Sequence, residues 1–233
     1  MPPITRGNLT VSLAACAADI DEVLDLRRLT FRTLRGIAGQ EGDSFDAVSE
    51  HLLVRSAGRS IATLRLRLIT PTTPSYTAQF FDLSNLPDTP MLEIGRFCLH
   101  PEAPDPDTLR IALAYLTRLV DDSGVSHLIG CSSLPGTELS AHARALGAFY
   151  SQFNVTTRTL VPESHDLLDI VPLGEQRDLP PFLRHYLNLG ARLSTRAVVD
   201  RSLHTCLVLT LLRVVDIPPS RARALRELAR SPR

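Results

Sequence analysis

The chain contains no lysine. All 25 of its basic residues are arginine, which excludes Schiff-base chemistry on a lysine and phosphate binding by a Walker-type lysine. A surplus of charge is missing as well, because 25 acidic residues balance the arginines. No global field then favours nucleic acid, and affinity for an acidic partner has to be local. The four cysteines, Cys16, Cys98, Cys131 and Cys206, make no C-x-x-C pair, and the seven histidines make no H-x-H or H-x-x-x-H pair. A zinc ribbon, a dithiol redox centre and a metal site therefore lack support, and the expectation is no metal and no tightly bound cofactor. Such cysteine usage suits a reducing cytoplasm. The longest apolar candidate, 203–215, is broken by His204 and Arg213 and falls short of the roughly 18 residues that a membrane span needs.

What is present suits a globular enzyme. The 233 residues are 44% hydrophobic, enough for one large core. Leu13-Ala14-Ala15-Cys16, behind Arg6, superficially resembles a lipoprotein cleavage box. Its apolar run is short, however, and Asp19, Asp21 and Glu22 lead directly into an amphipathic pattern. A strand at Val11–Ala14 and a helix over Asp19–Leu34 are expected instead. The glycine- and acid-bearing stretch Gly36–Asp46 has no periodicity and reads as a structured loop. Strands follow at His51–Arg55 and Ser60–Thr70, joined by a hairpin turn. In the second, Ala62, Leu64, Leu66 and Leu68 share one face, and Thr63, Arg65 and Arg67 the other. Further elements are a strand at Met91–Leu99, a loop over Pro101–Asp107, a helix over Thr108–Val120, a strand at His127–Ser132 and a helix over Leu139–Phe149. A proline-marked connection then leads to a helix at Leu183–Gly190 and a strand at Thr205–Val215. The economical organisation is one α+β or α/β domain over 1–217 and a basic helix or tail over 218–233. In the last fifteen residues, Arg221, Arg223, Arg226, Arg230 and Arg233 face the single acid Glu227. Ser220 is placed to cap a helix whose arginines suit an anionic membrane surface or an acidic protein; a solvated, frayed terminus is the alternative.

Chemistry concentrates in Leu92-Glu93-Ile94-Gly95-Arg96-Phe97-Cys98-Leu99-His100. A carboxylate and a guanidinium inside an apolar strand are costly unless paired or used. Strict alternation sends Glu93 and Arg96 to opposite faces, whereas a bulge at Gly95 would bring them to one. A purely structural ion pair is the alternative. Cys98 and Cys131, with His100 or His127 as base, lack any thiol-hydrolase signature and read as core. Gly130-Cys131-Ser132-Ser133-Leu134 has leucine where a nucleophile elbow needs glycine.

The order of segments resembles two related acyltransferase families of the GNAT-like fold. Leu26-Arg27-Arg28-Leu29-Thr30-Phe31, Asp43-Ser44-Phe45-Asp46, the strand pair at His51 and Ala62, and Leu92 to Pro101 are similar to both the ornithine N-acyltransferases of ornithine-lipid synthesis and the acyl-homoserine-lactone synthases. The segments His127–Glu138, Leu179–Ala191 and Ala197–Asp200 resemble the ornithine acyltransferases specifically, so the resemblance spans about residues 10–225. One departure is Glu102-Ala103-Pro104-Asp105-Pro106-Asp107, where the family continues its His-Pro with an aromatic residue and an arginine.

The resemblance implies a central mixed, mostly antiparallel twisted sheet flanked by helices. It implies transfer of a 3-hydroxyacyl group from acyl carrier protein to the α-amino group of an amino acid, ornithine or glutamine, giving a lyso-aminolipid. An ammonium must lose a proton before it attacks a thioester, for which Glu93 is the candidate. Arg96 or Arg65 suits the substrate carboxylate. Asp43 or Asp46 suits an ornithine side-chain ammonium, and backbone N–H groups at Gly95 suit the oxyanion. His100 completes the expected substrate-binding set. The acids of 104–107 would repel a diphosphate, which favours a carrier-protein donor over a CoA donor; Arg110, Arg118 or the tail would dock it. The expected location is cytoplasmic, with peripheral contact at the inner face of the membrane through the C-terminal arginines. The competing expectations are a lactone synthase using S-adenosylmethionine and a non-enzymatic module that binds a carrier protein or a membrane.

Overall fold

The computed structural model describes residues 1–103, 106–161, 164–166 and 178–230. In chain order its elements are β1 (Ile4–Arg6), β2 (Leu9–Leu13), α1 (Ala17–Phe31), β3 (Glu50–Ser56), β4 (Arg59–Ile69), β5 (Met91–Leu99), α2 (Pro106–Ser123), β6 (His127–Pro135), α3 (Ala143–Gly147), β7 (Phe153–Val155), β8 (Ser164–Asp166), α4 (Pro181–Asn188), β9 (Arg192–Asp200), β10 (Thr205–Arg213) and α5 (Pro219–Ala229). They group into two units, one of 1–67, 94–125 and 219–233, the other of 68–93 and 126–218.

In the first unit β1 to β4 form an antiparallel meander, with Val11 opposite Val54 and Leu52 opposite Leu64. Leu52, Val54, Ala62 and Leu64 are fully buried. The apolar face of α2 supplies Ile111, Ala112, Tyr115 and Leu116 to the same interior. Helix α1 starts at Ala17 rather than at Asp19, because Asp19 is not the residue before the helix. It is the third residue inside it, and its carboxylate reaches back to accept the N–H groups of Ala15 (2.7 Å) and Cys16 (3.3 Å). Helix α2 starts two residues earlier than expected, since proline is well tolerated at a first helical position. The C-terminal arginine segment forms α5, which lies along α2: Arg226 pairs with Asp121 through two 2.8 Å bonds. Arg6 donates to the Glu227, Leu228 and Arg230 carbonyls at 3.3, 3.1 and 2.7 Å, closing the end of α5.

The second unit is mixed. β10 runs antiparallel between β6 and β9, β8 is antiparallel to β9, β7 is parallel to β9, and the start of β5 is parallel to β6, with Glu93 opposite Ile129. Thr205 to Leu212 are all buried, as expected of a strand covered on both faces. Two apolar clusters fill this unit, one around Leu134, Leu183 and Val208, the other around Ile69, Phe81, Met91 and Leu209.

Other expectations change as well. The phase of β4 shifts near Arg67, leaving Leu68 56% exposed while Ile69 is buried. The helix expected over Leu139–Phe149 is a 3-10 turn, the five-residue α3 and a second 3-10 turn. Strand β9 was not legible, because its burial does not alternate and its register against β10 shifts between Val208 and Thr210. Pro104, Asp105, Pro162, Pro172 and Arg233 lie outside the described residues.

Candidate active site

In the first unit α1, the loop after it, β4 and β5 bring together four guanidinium groups and three carboxylates. Arg27 sits beside Val23 and Leu26 on the buried stripe of α1 and has no exposed side-chain surface. Its Nη1 donates to Asp46 Oδ1 at 2.7 Å, and its Nε and Nη2 donate to Glu41 Oε1 at 3.2 and 3.0 Å. Arg65, on β4, donates through Nη1 to Asp43 Oδ1 (2.5 Å) and Asp46 Oδ1 (3.0 Å). Arg96, on β5, donates to Asp43 Oδ2 at 2.8 Å and stands 3.5 Å from Glu41 Oε1. Arg32 holds the second oxygen of Glu41 at 3.0 Å. The loop that carries the acids is shaped from within. Gly42 adopts a φ of +123°, which favours glycine, and the Asp43 main-chain N–H donates to Asp46 Oδ2 at 2.7 Å.

These contacts set the charges. Burial pushes the Asp46 carboxyl up, but the hydrogen bond and charge of Arg27, with further bonds from the Asp43 N–H and Arg65, outweigh it and hold the group far below the usual range. Burial likewise opposes ionisation of Asp43, and Arg96 and Arg65 overcome it. His51, paired across the strands with Arg65, is driven the other way: burial lowers its pKa, as do the charges of Arg27 and Arg65, against the pull of Asp46. Its Nε2 lies 3.2 Å from the Asp46 carbonyl oxygen, which can only accept, so that nitrogen carries the ring proton. Graded exposure separates the acids. The Asp43 side chain is 23% exposed and that of Glu41 is 2%, so Asp43 is the carboxylate at the rim.

Strand β5 carries the remaining expected residues. The left-handed residue is Arg96, with φ of +53°, and not Gly95. A non-glycine residue there is strained, and such residues cluster at functional sites. Gly95 has open space where a Cβ would stand. Glu93, in the second unit, is 5% exposed, and its Oε1 accepts the Thr77 main-chain N–H at 2.8 Å. His100 follows β5 in the first unit; its own N–H donates to the Ile61 carbonyl (2.7 Å), and its Nε2 lies 2.7 Å from Arg59 Nη2. Burial raises the Cys98 thiol to about 12, as an inert core residue requires. Cys131 packs against the cluster around Ile69 and Met91.

The sequence of residues 26–114 matches a family model described as an acetyltransferase (GNAT) domain. The chain is 28% identical over 242 residues to the L-ornithine Nα-acyltransferase of Rhizobium meliloti (strain 1021), covering 91% of this chain and 82% of that protein. It is 27% identical over 247 residues to the protein of that name in Brucella abortus (strain 2308), covering 91% and 86%. Among solved structures, FeeM, an N-acyl amino acid synthase from uncultured soil microbes, superposes with a TM-score of 0.56 at 10% identity over 89% of this chain and 92% of that one. The chain is a GNAT-fold acyltransferase.

In this acyltransferase the expected residues Asp43, Asp46, Arg65 and Arg96 do converge. Sequence reasoning missed Glu41, Arg27, Arg32 and His51, which complete the cluster. One signal was available: Arg27 lies four residues after Val23, on the helix stripe that is otherwise apolar. Glu41 carried none, since loop acids are ordinarily solvated.

Proposed function

We propose that the protein transfers a 3-hydroxyacyl group from acyl carrier protein to the α-amino group of an amino acid, ornithine before glutamine, giving a lyso-aminolipid. The observation that carries this reading is Glu93, a buried carboxylate in an apolar strand, held at one oxygen by a main-chain N–H. A buried acid costs free energy unless it is paired or used, and Glu93 stands in the strand whose sequence resembles the ornithine acyltransferases.

Glu93 takes one proton from the acceptor ammonium. The freed amine attacks the thioester carbonyl, the tetrahedral intermediate collapses with cleavage of the C–S bond, and the carrier's thiolate leaves and takes up the second proton that the nitrogen sheds in becoming an amide. Main-chain N–H groups around Gly95 and Arg96 serve the oxyanion, for which a fixed left-handed turn is a suitable frame. Arg96 and Arg65 suit the acceptor carboxylate, and their pairing with Asp43, Asp46 and Glu41 pre-orients both guanidinium groups. Asp43, the most exposed acid of the cluster, suits an ornithine side-chain ammonium better than the more deeply held Asp46 does. His100 suits the donor end of the site. The proposed donor is an acidic protein, to which Arg221 and Arg223 of α5 offer exposed positive charge, whereas Arg59 and Arg110 each already face a carboxylate, Glu102 and Asp107. Arg221 and Arg223 would make the same offer to the anionic inner face of the membrane.

The test is acyl transfer by Glu93→Gln, which keeps the size of the side chain and removes the base. A fall in kcat of about 10²- to 10⁴-fold is expected. Wild-type turnover would remove Glu93 from the chemistry.

A further inference from the structure

Glu93 is gripped by a turn that no sequence motif marked. Residues Ser75 and Tyr76 lead into a single turn of 3-10 helix, Thr77–Gln79, in the same unit as Glu93. Tyr76 is already helical, at φ −59° and ψ −44°, so the first N–H groups of the turn point back out of it without helical partners. One of them, on Ala78, donates to Ser75 Oγ at 3.2 Å; another, on Thr77, donates to Glu93 Oε1 at 2.8 Å. The far end is closed by the N–H groups of Phe80 and Phe81, each donating to the Thr77 carbonyl at 3.1 Å. Two neighbouring bonds fasten the turn to its surroundings, Leu160 N–H to Phe80 O (2.9 Å) and Asp82 N–H to Arg158 O (2.8 Å). Phe81 is fully buried among Ile69, Met91 and Ile129. Ser75 and Thr77 are buried too, and Thr77 Oγ1 has no hydrogen-bond partner among the described residues.

We infer that Ser75 and Thr77 are positioning residues for Glu93: the Ser75-capped turn aims the Thr77 main-chain N–H at one carboxylate oxygen and leaves the other to receive the proton. The inference rests on Glu93 being the base. Its physical content is rotamer control, because a glutamate side chain has three torsions and a carboxylate in a strand has no helix turn to confine it. A fixed main-chain donor pins one oxygen without adding a titrating group. The Thr77 hydroxyl does none of this, since it is the N–H that reaches Glu93.

The experiment is kinetics with 3-hydroxyacyl-loaded carrier protein and ornithine, on Ser75→Ala and Ser75→Thr, each in the wild-type and Glu93→Gln backgrounds. Ser75→Ala removes the acceptor that ties Ala78; one lost hydrogen bond of this kind corresponds to about tenfold in kcat. KM should stay within about twofold, so that the loss falls on kcat. Ser75→Thr retains the oxygen and restores the rate. In the Glu93→Gln background Ser75→Ala should cost nothing further, because the group it positions is gone. An equal fractional loss in both backgrounds would make the turn a merely structural element and overturn the inference, as would a failure of Ser75→Thr to restore the rate lost in Ser75→Ala. Full activity in Glu93→Gln alone is a different result, since it removes the base and not the turn.

Discussion

At the scale of the residue, the most telling side chain is Arg27. A guanidinium with no exposure survives in a protein interior only if its donors are met, and Glu41 and Asp46 meet them. The same cluster makes stability depend on pH in two windows. Asp43 and Asp46 titrate below their usual 3.8 when folded, so the stability they confer is complete above about pH 4 and is lost as pH falls further. His51 has a folded pKa below its usual 6.5. The unfolded chain then binds a proton that the folded one refuses, and stability declines as pH drops below about 6.5; His127, lowered by burial, adds in the same sense. Urea unfolding at pH 5.5 and 7.5 should show the native protein weaker at the lower pH and His51→Gln less affected by the change. An equal pH effect in both would place the titrating group elsewhere. Of the residues singled out in the sequence, Asp43, Asp46, Arg65 and Arg96 are the ones the fold brings together. Their partners were hidden for a physical reason, as ion pairs between a helix, a loop and two strands leave no local spacing to read.

Elements were legible wherever a single period governed them. Strand β5 matches its expected limits, Met91–Leu99, because a mostly apolar run, interrupted only at Glu93, Gly95 and Arg96, is closed by His100-Pro101. Strand β9 failed because a register shift destroys alternation. Helix α5 was half-legible: the spacing of Ala222, Leu225 and Leu228 announces a helix, but it starts at Pro219, so Ser220 lies inside it and does not cap it, and nothing near residue 220 says that Arg6 will close its last turn. The partnership with α2 buries Ala229 and engages Arg226, while Arg221 and Arg223 stay exposed. Arg6→Ala should therefore release the end of α5, since a cation on terminal carbonyls contributes of the order of 1 kcal/mol. Hydrogen exchange of the amides in that last turn should quicken about fivefold, with those of α2 unchanged. Unaltered exchange in α5 would mean that Arg226 and the α2 contact hold it alone.

For the whole molecule, the pattern of elements reached no further than one α+β or α/β domain; a GNAT-like acyltransferase was expected from the resemblance of several strings, Leu92 to Pro101 among them, to known acyltransferase families. The match of residues 26–114 to the GNAT domain and the likeness to FeeM agree with that expectation. Substrate identity is a finer matter, because it depends on which charges are left for a ligand once the protein's own pairs have formed. The cluster around Asp43 and Arg96 and the turn around Glu93 are each organised in advance of any substrate, as a reaction limited by positioning requires. The central claim is the transfer of a 3-hydroxyacyl chain to the α-amino group of an amino acid, and it is tested most directly by mass spectrometry of the products. Purified protein would be given 3-hydroxyacyl-loaded carrier protein with ornithine, glutamine, glycine or S-adenosylmethionine in separate reactions. The account predicts an N-acylated amino acid carrying one 3-hydroxyacyl chain, formed fastest from ornithine. A lactone from S-adenosylmethionine, or no acylated product from any acceptor, would contradict it.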